Sequence, residues 1–439
     1  MASKNTCSQQ SYKSIDKKLK KIPFNKRALA SGFKQRKPQK LTGKLLLISF
    51  FVMALQGNNS FQLWAEKVSS ITGSGVSKQA VWKRITSCFI KFLVAVLADA
   101  LREQVSKASC QLEQSILKKP YKRILIQDST TITLPTCLRW CFPGNTSGGE
   151  KKAQLKIQVI YDLLHNRFVY FEVTPFTAND QSKSKDILSI AGKGDLVIRD
   201  LGYFSLDCFN QLSSQHIAFI SRLRYGIKIT DAQTGKEINL LAILSTHGRF
   251  DRWVMIGDRH KVNIRLVAVP LPQEQANRRR HKARHDRDRR LNHTKEYYEQ
   301  LGYSIYITTE NKNQFDAMQI VKVYGWRWRI ETIFKCWKSQ FHLQQLIPHK
   351  GSLTKERAEA IIYMMLIFIL LFQITVYNYL LPAGDSYIIS INKLSRYIAN
   401  NFNVFLEKNF RTLTPELLRY CAYDKRKDRL NFIEKLKLG

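Results

Sequence analysis

KRILIQDSTTITL, residues 122–134, decides the reading of the whole chain. Its β-branched residues mark a strand, and Asp128 stands at the centre of an otherwise mostly apolar or hydroxylated run. A Pro-, Gly- and Cys-containing loop follows to about residue 150. AQLKIQVIYDL (153–163) and RFVYFEVTPF (167–176) then read as a hairpin that turns between Asp162 and Arg167. A helix predicted from about Asp180 to Ala191 leads to DLVIRDLGY (195–203), a short strand ending in Asp200. The order is three strands, a helix and a fourth strand, with carboxylates on the first and the fourth.

That order suggests an RNase H-like core, of class α+β or α/β, whose first part spans 120–213. Beyond it the texture is again β: HIAFISRLRYGIKI (216–229), RFDRWVMIG (249–257), KVNIRLVAVPLP (261–272) and YSIYITT (303–309). These strands predict a mostly β insertion domain over 214–312. Within it RRRHKARHDRDRR (278–290) holds eight Arg and Lys against two Asp and opens with Arg278, Arg279 and Arg280. Such a run suits a solvated loop or a loop that tracks phosphates, and its composition does not choose between them. Helix returns for the second part of the core, 313–380, and a basic helical region, 381–439, closes the chain.

Upstream of the core, residues 1–44 carry thirteen Lys and Arg against one acid, Asp16, and read as a basic arm. Residues 45–119 read as a helical domain. In it SFQLWAEKVSSI (60–71), the breaker TGSG and VSKQAVWKRITS (76–87), with Ser77 as N-cap, match a helix-turn-helix at about 61–88. Lys78, Gln79, Lys83 and Arg84 on the second helix are donors suited to phosphates or base edges. A plain helical hairpin has the same spacing.

Composition narrows the partners. The 439 residues carry 71 Lys and Arg against 34 Asp and Glu, a formal charge of +37. A field of one sign destabilises a compact chain unless a polyanion neutralises it, so nucleic acid comes first and an anionic membrane surface second. With 44% hydrophobic and 11% aromatic residues, disorder throughout is excluded. The eight cysteines are mostly isolated in apolar stretches, as in reduced intracellular proteins, and the Cys137/Cys141 pair has no second half-site for zinc. The first 40 residues are too basic for a signal peptide. The apolar runs 45–55 and 361–372 fall short of the roughly 20 residues that span a bilayer, so both read as buried helices.

The segment YGWRWRIETIFKCWK (324–338) carries the chemistry. On one continuous helix, Tyr324, Arg327, Glu331 and Lys338 share a stripe about 60° wide, and Trp326, Ile330, Ile333 and Trp337 lie opposite. A lone Glu between cations is ordinarily a surface salt-bridge ladder. Here the opposite face is bulky enough to fix the helix against a sheet, and two strand-terminal aspartates precede it. Cleavage of a phosphodiester by in-line attack calls for two divalent cations about 4 Å apart, and hard ions take carboxylate oxygens. Asp128, Asp200 and Glu331 meet that need as catalytic and metal-binding residues, with the stripe's cations on phosphate. Asp162 suits a turn, and Asp180 and Asp186 suit a helix start, while Asp195 and Asp207 merely flank Asp200. Trp326 reads as core, whereas Trp328 could stack on a flipped base. His281 and His285 lack the further ligands of a metal site.

The spacing Y-x2-R-x3-E-x6-K, with QDST around Asp128 and RDLGY around Asp200, resembles the DDE transposases of bacterial insertion sequences. It is most similar to the insertion-sequence-four branch defined by that Tyr-Arg-Glu-Lys signature. The resemblance covers about 120–380. It implies an RNase H-like core interrupted by the β insertion, and two Mg²⁺, replaceable by Mn²⁺, on the three acids. It further implies a cytoplasmic, nucleoid-associated enzyme without a membrane segment, acting on terminal inverted repeats and target DNA. Tyr324, Arg327 and Lys338 would grip phosphates of the element's end, and a homodimer would pair two ends. A catalytically silent, DNA-binding repressor derived from a transposase is the alternative.

Overall fold

The computed structural model describes residues 19–35, 41–55, 59–104, 121–147, 149–258, 260–285, 293–348, 353–380, 389–402, 404 and 410–424. Much of the basic arm, Arg287, Arg289, Arg290 and the last fifteen residues lie outside them.

Helices open the chain: α1 (Phe24–Ala30), α2 (Gly43–Ala54), α3 (Phe61–Thr72), α4 (Lys78–Arg84) and α5 (Ser87–Arg102). Thr42, Ser60, Ser77 and Thr86 cap the four that follow them, each accepting from the N–H three residues on. Gly73 ends α3 with φ at 68°, a conformation that costs glycine nothing. The expected helix, glycine turn and capped second helix are therefore present. Ahead of them α2 is buried almost all round, and its Phe51 packs edge-on against Phe368 and Phe372. One apolar cluster runs from Leu19 through the sheet to Cys421.

Among the described residues the sheet has ten strands: β1 (Arg123–Leu134), β2 (Pro143–Ser147), β3 (Glu150–Asp162), β4 (Arg167–Pro175), β5 (Asp195–Arg199), β6 (Ala218–Arg222), β7 (Ile229–Asp231), β8 (Phe250–Ile256), β9 (Val262–Pro270) and β10 (Tyr303–Thr308). Its order is β2-β3-β1-β5-β6-β10-β9-β8-β7, with β4 also on β3. β1, β3 and β4 form an antiparallel meander, β5 joins β1 in parallel, and β6 joins β5 in parallel. This large mixed α/β sheet is consistent with an RNase H-like catalytic domain. Two expectations shift. The core continues past residue 213 through α6 (Leu206–Ser214) to β6, and the later strands extend the same sheet because β10 pairs with β6. The helix predicted from Asp180 to Ala191 is instead a set of turns with a short 3-10 helix, Ser184–Ser189.

Four helices decorate the second half of the sheet or cover it: α7 (Leu240–His247), α8 (Gln273–Arg284), α9 (Lys295–Gln300) and α10 (Ala317–Gly325). α11 (Trp328–Ser339) lies across β1, and α12 (Lys355–Phe368) continues through a π-helical segment, Ile369–Ile374, into α13 (Thr375–Leu380). The span Lys355–Leu380 is long and apolar enough to cross a membrane, but 83% of its apolar window is buried inside the protein. Rings of Phe51, Phe341 and Phe402 close on Phe368, as expected of a core helix. α14 (Ile391–Asn400) and α15 (Phe410–Cys421) complete the described chain.

Candidate active site

The two aspartates reach one place because their strands are parallel neighbours. Gln127 lies opposite Arg199, so Asp128 and Asp200 follow at the same level, one inside β1 and one just beyond β5. Glu331 arrives on the first turn of α11. Its segment is not the single helix expected. α10 stops at Gly325, and Trp326 and Arg327 keep right-handed angles but bond in the i→i+3 manner, Arg327 N–H to Tyr324 O at 3.1 Å and Ile330 N–H to Arg327 O at 3.2 Å. The tightened turn preserves the two faces. Trp326, Ile330, Ile333 and Trp337 are all at most 3% exposed, and the polar stripe meets the sheet.

At its centre is one guanidinium. Arg327 Nη1 donates to Asp128 Oδ2 at 3.0 Å, Nη2 lies 2.6 Å from Glu331 Oε1, and Nε lies 3.7 Å from Asp200 Oδ1. That last nitrogen is buried without a hydrogen bond. Burial opposes the Arg327 charge, but Asp200, Tyr324, Asp128 and Glu331 outweigh it and hold its pKa above the ordinary value. Tyr324, its ring tilted against that of Tyr306 with centroids 5.0 Å apart, donates its hydroxyl to Asp200 Oδ1 at 3.3 Å. Burial and the Asp200 charge push that phenol upward.

Asp128 is the most buried of the three acids. Burial pushes its pKa up to about 7, against the pull of Arg327 and of the Ser129 N–H, which it accepts at 2.8 Å, and with the repulsion of Asp200 and Glu331. Once Asp128 has lost its proton, one cation serves three carboxylates, two charges short of balance.

Divalent metal fits this donor set in chemistry: three carboxylates, all oxygen, already gathered around a cation. Among the described residues no group of three His, Cys, Asp or Glu closes on a single point, because the guanidinium stands between the acids.

The other sequence candidates divide sharply. Lys338 is exposed about two turns along α11 from Glu331. Lys78, Gln79 and Lys83 are exposed on α4. Arg84 turns inward, 4.0 Å from the Phe33 ring, and donates to Phe33 O at 3.3 Å. The run at 278–290 begins as helix α8, not loop, because its first residues pack on β10. Arg279 donates to Tyr303 O at 3.2 Å and Arg280 to Tyr298 O at 3.1 Å, whereas Arg278 is exposed beside Glu274. Trp328 is 59% exposed next to Arg327, and Trp326 is core. Cys137 and Cys141 are both free and exposed. Asp162 is fully buried under His165 and Arg167, and Asp195 and Asp207 pair with Arg123 and Lys185. Asp180, read from the sequence as a helix start, instead pairs with Lys156 at 2.9 Å. The available signal was that lysine, a charge inside an apolar strand that must find a counter-ion.

A family model described as a transposase DDE domain matches residues 119–371, more than half of the chain and all three acids. The chain belongs to the DDE transposase family. Curated relatives agree along most of its length. The transposase for insertion sequence element IS231C of Bacillus thuringiensis subsp. berliner is 26% identical over 91% of this chain and 87% of its own. That for IS231D of B. thuringiensis subsp. finitimus is 28% identical over 81% and 77%. That for IS1151 of Clostridium perfringens is 25% identical over 82% and 79%. In a DDE transposase the acids are the name-giving residues, and here β1, the turn just after β5 and α11 carry the candidates.

Proposed function

We propose that this chain is the transposase of an insertion sequence, which binds terminal inverted repeats, cleaves DNA at the element's ends and joins the 3′-hydroxyls to target DNA. The observation that carries the reading is the meeting of Asp128, Asp200 and Glu331 around Arg327. Asp128, Asp200 and Glu331 would hold two Mg²⁺, or Mn²⁺ in their place. When bound, such ions lower the barrier to in-line attack at phosphorus by activating the nucleophile and stabilising the leaving oxygen.

The chain's own residues orient the DNA. Arg327 has a planar fork suited to a phosphate once it leaves the acids. Tyr324 offers a hydroxyl donor that its raised pKa keeps protonated, and Lys338 adds a solvent-exposed cation on the same stripe. Lys78, Gln79 and Lys83 on α4 are free to meet the inverted repeat, with Arg278 on α8 farther along the duplex. Arg84, Arg279 and Arg280 support this surface from below, since their guanidinium groups are engaged by the fold. A homodimer would hold two ends together, and the protein would work on DNA in the bacterial cytoplasm.

The test is metal-dependent cleavage of a duplex bearing the element's own end. Glu331→Gln is expected to lower the cleavage rate by about 10³-fold or more while end binding persists, as for loss of a group that acts mainly in the transition state. Undiminished cleavage by this variant would sink the assignment. Wild-type protein that binds the end but never nicks it would identify a silent, DNA-binding descendant instead.

A further inference from the structure

The active-site acids occupy one face of the sheet, and the opposite face beneath them holds a second polar cluster. On β1, side chains alternate, so Gln127 and Ser129 point away from the face that Asp128 uses. Across from Ser129 on β3 is Gln158, and two residues from it on the same face is Lys156. All three donors converge on one oxygen. Asp180 Oδ1 accepts from Ser129 Oγ at 2.9 Å, from Lys156 Nζ at 2.9 Å and from Gln158 Nε2 at 3.2 Å.

The same carboxylate touches the other aspartate's segment. A Cβ on Gly202, two residues after Asp200, would lie 3.2 Å from Asp180 Oδ2, so the turn that ends β5 rests directly on this carboxylate. Tyr203, next in sequence, donates its hydroxyl to Gln158 Oε1 at 2.6 Å, and its N–H bonds Asp200 O at 3.1 Å. Ser129 in turn donates its N–H to Asp128 Oδ1. Asp180 is therefore one bond from the residue that holds Asp128 and one contact from the turn that holds Asp200.

We propose that Asp180 is a positioning residue of the transposase reaction, locking the Asp128 strand and the Asp200 turn into one register from behind. The proposal rests on the transposase reading given above. Lys156, 9% exposed in its side chain and 5.0 Å from the Phe176 ring centre, makes the lock an ion pair buried at its lysine end, with Asp180 partly buried. In such a setting a carboxylate with three donors on one oxygen has a single favoured orientation. A side chain at 202 in RDLGY would crowd Asp180 by a few tenths of an ångström.

Removing the carboxylate alone would strand a buried lysine and confuse geometry with stability. The experiment therefore compares, in the full chain, Asp180→Asn, Lys156→Met and the double variant that removes both charges. Three quantities are read: thermal stability, single-turnover cleavage of end DNA across a Mg²⁺ series, and Mn²⁺ binding to the protein by electron paramagnetic resonance. Asp180→Asn is expected to lose both stability and cleavage. In the double variant stability returns, but cleavage and Mn²⁺ affinity each stay about 10- to 100-fold down, the cost usual for groups that orient metal ligands. End-DNA affinity stays within about twofold of wild type, as expected when phosphate contacts are untouched.

If cleavage and Mn²⁺ affinity recover together with stability in the double variant, Asp180 is only a counter-ion and the proposal falls. Unchanged Mn²⁺ affinity and unchanged cleavage in Asp180→Asn overturn it equally. The underlying reading fails separately: wild-type protein that binds Mn²⁺ yet cleaves nothing removes the transposase assignment, while the Mn²⁺ comparison still decides the positioning role.

Discussion

The two faces of the central sheet solve opposite electrostatic problems. On the front, Arg327 is the only cation within ion-pair reach of Asp128, Asp200 and Glu331 among the described residues, which leaves an excess of two negative charges. On the back, Asp180 has one cation and two neutral donors, and the cluster closes on itself. Both lie at the level of residues 128–129 of the same strand. A charge excess next to a satisfied cluster is what a site needs if it is to stay folded while waiting for cations from solution. The back cluster supplies rigidity, and the front supplies unmet affinity.

Arg327→Ala breaks the front most severely. Without the guanidinium, three carboxylates face one another, so the metal-free variant is expected to melt at lower temperature than wild type. Added Mg²⁺ or Mn²⁺ should restore it, and the restoring concentration should be lower than the concentration that shifts the wild-type melt, because no arginine has to be displaced. Cleavage should still fall by about 10²- to 10³-fold, since the phosphate loses a charged donor. A wild-type melt more sensitive to metal than that of the variant would show that the arginine does not compete for the acids.

The pH response sharpens the comparison, with a smaller effect. Asp128 has a folded pKa of about 7 against 3.8 for an ordinary aspartate. The folded chain therefore holds this proton more tightly than the unfolded one. The resulting stability is fully present below about pH 4 and is lost as pH rises towards 7. Metal-free wild type should lose a few degrees of melting temperature over this window, and Asp128→Asn should flatten that part of the curve. Metal binding has the reverse sign: it strengthens as pH climbs through 7, because the proton must leave first. Asp180 lies on the opposite face of β1 from Asp128 and pairs with Lys156, so Asp180→Asn should leave the slope in place. Loss of the slope in Asp180→Asn would mean that the two faces titrate as one unit.

The front of the site was legible in the sequence and the back was not. Asp128 and Asp200 stand out because each interrupts a short β-rich segment, and Glu331 because a three-to-four periodicity aligns it with Tyr324, Arg327 and Lys338 opposite a row of bulky apolar residues. Such signals are local. That Arg327 would grip all three acids is not, since it depends on β1 and β5 being parallel neighbours. The joining of β10 to β6 was hidden for the same reason: the paired residues are more than eighty positions apart, and no periodicity records a partner. Arg84 and Arg279 looked like Lys83 and Arg278 because composition does not tell which way a cation turns. Asp180 was read as the start of a helix, when the residue that determines its role, Lys156, lies in a strand twenty-four positions earlier.

The mildest break joins the two faces through a single atom. In Gly202→Ala the new methyl would sit 3.2 Å from Asp180 Oδ2 and 3.4 Å from its Cβ, a few tenths of an ångström too close. Gly202 carries no unusual backbone conformation among the described glycines with positive φ, so crowding is the whole perturbation. The carboxylate can rotate slightly, but its other oxygen is held by three donors, whereas the backbone turn after Asp200 is held by two 3-10 bonds, Tyr203 N–H to Asp200 O and Phe204 N–H to Leu201 O. The softer partner should move, carrying Asp200 with it. Cleavage is then expected to drop by about 3- to 10-fold, a fraction of the roughly 10²-fold cost of a full 1 Å displacement. The melting temperature should change by no more than a degree or two, and end-DNA affinity should not change. Asp180→Ala, added to Gly202→Ala, relieves the crowding while removing the lock. If the coupling runs through this contact, the double variant is no worse than Asp180→Ala alone. Additive losses would mean that Gly202 acts on Asp200 by some route other than Asp180.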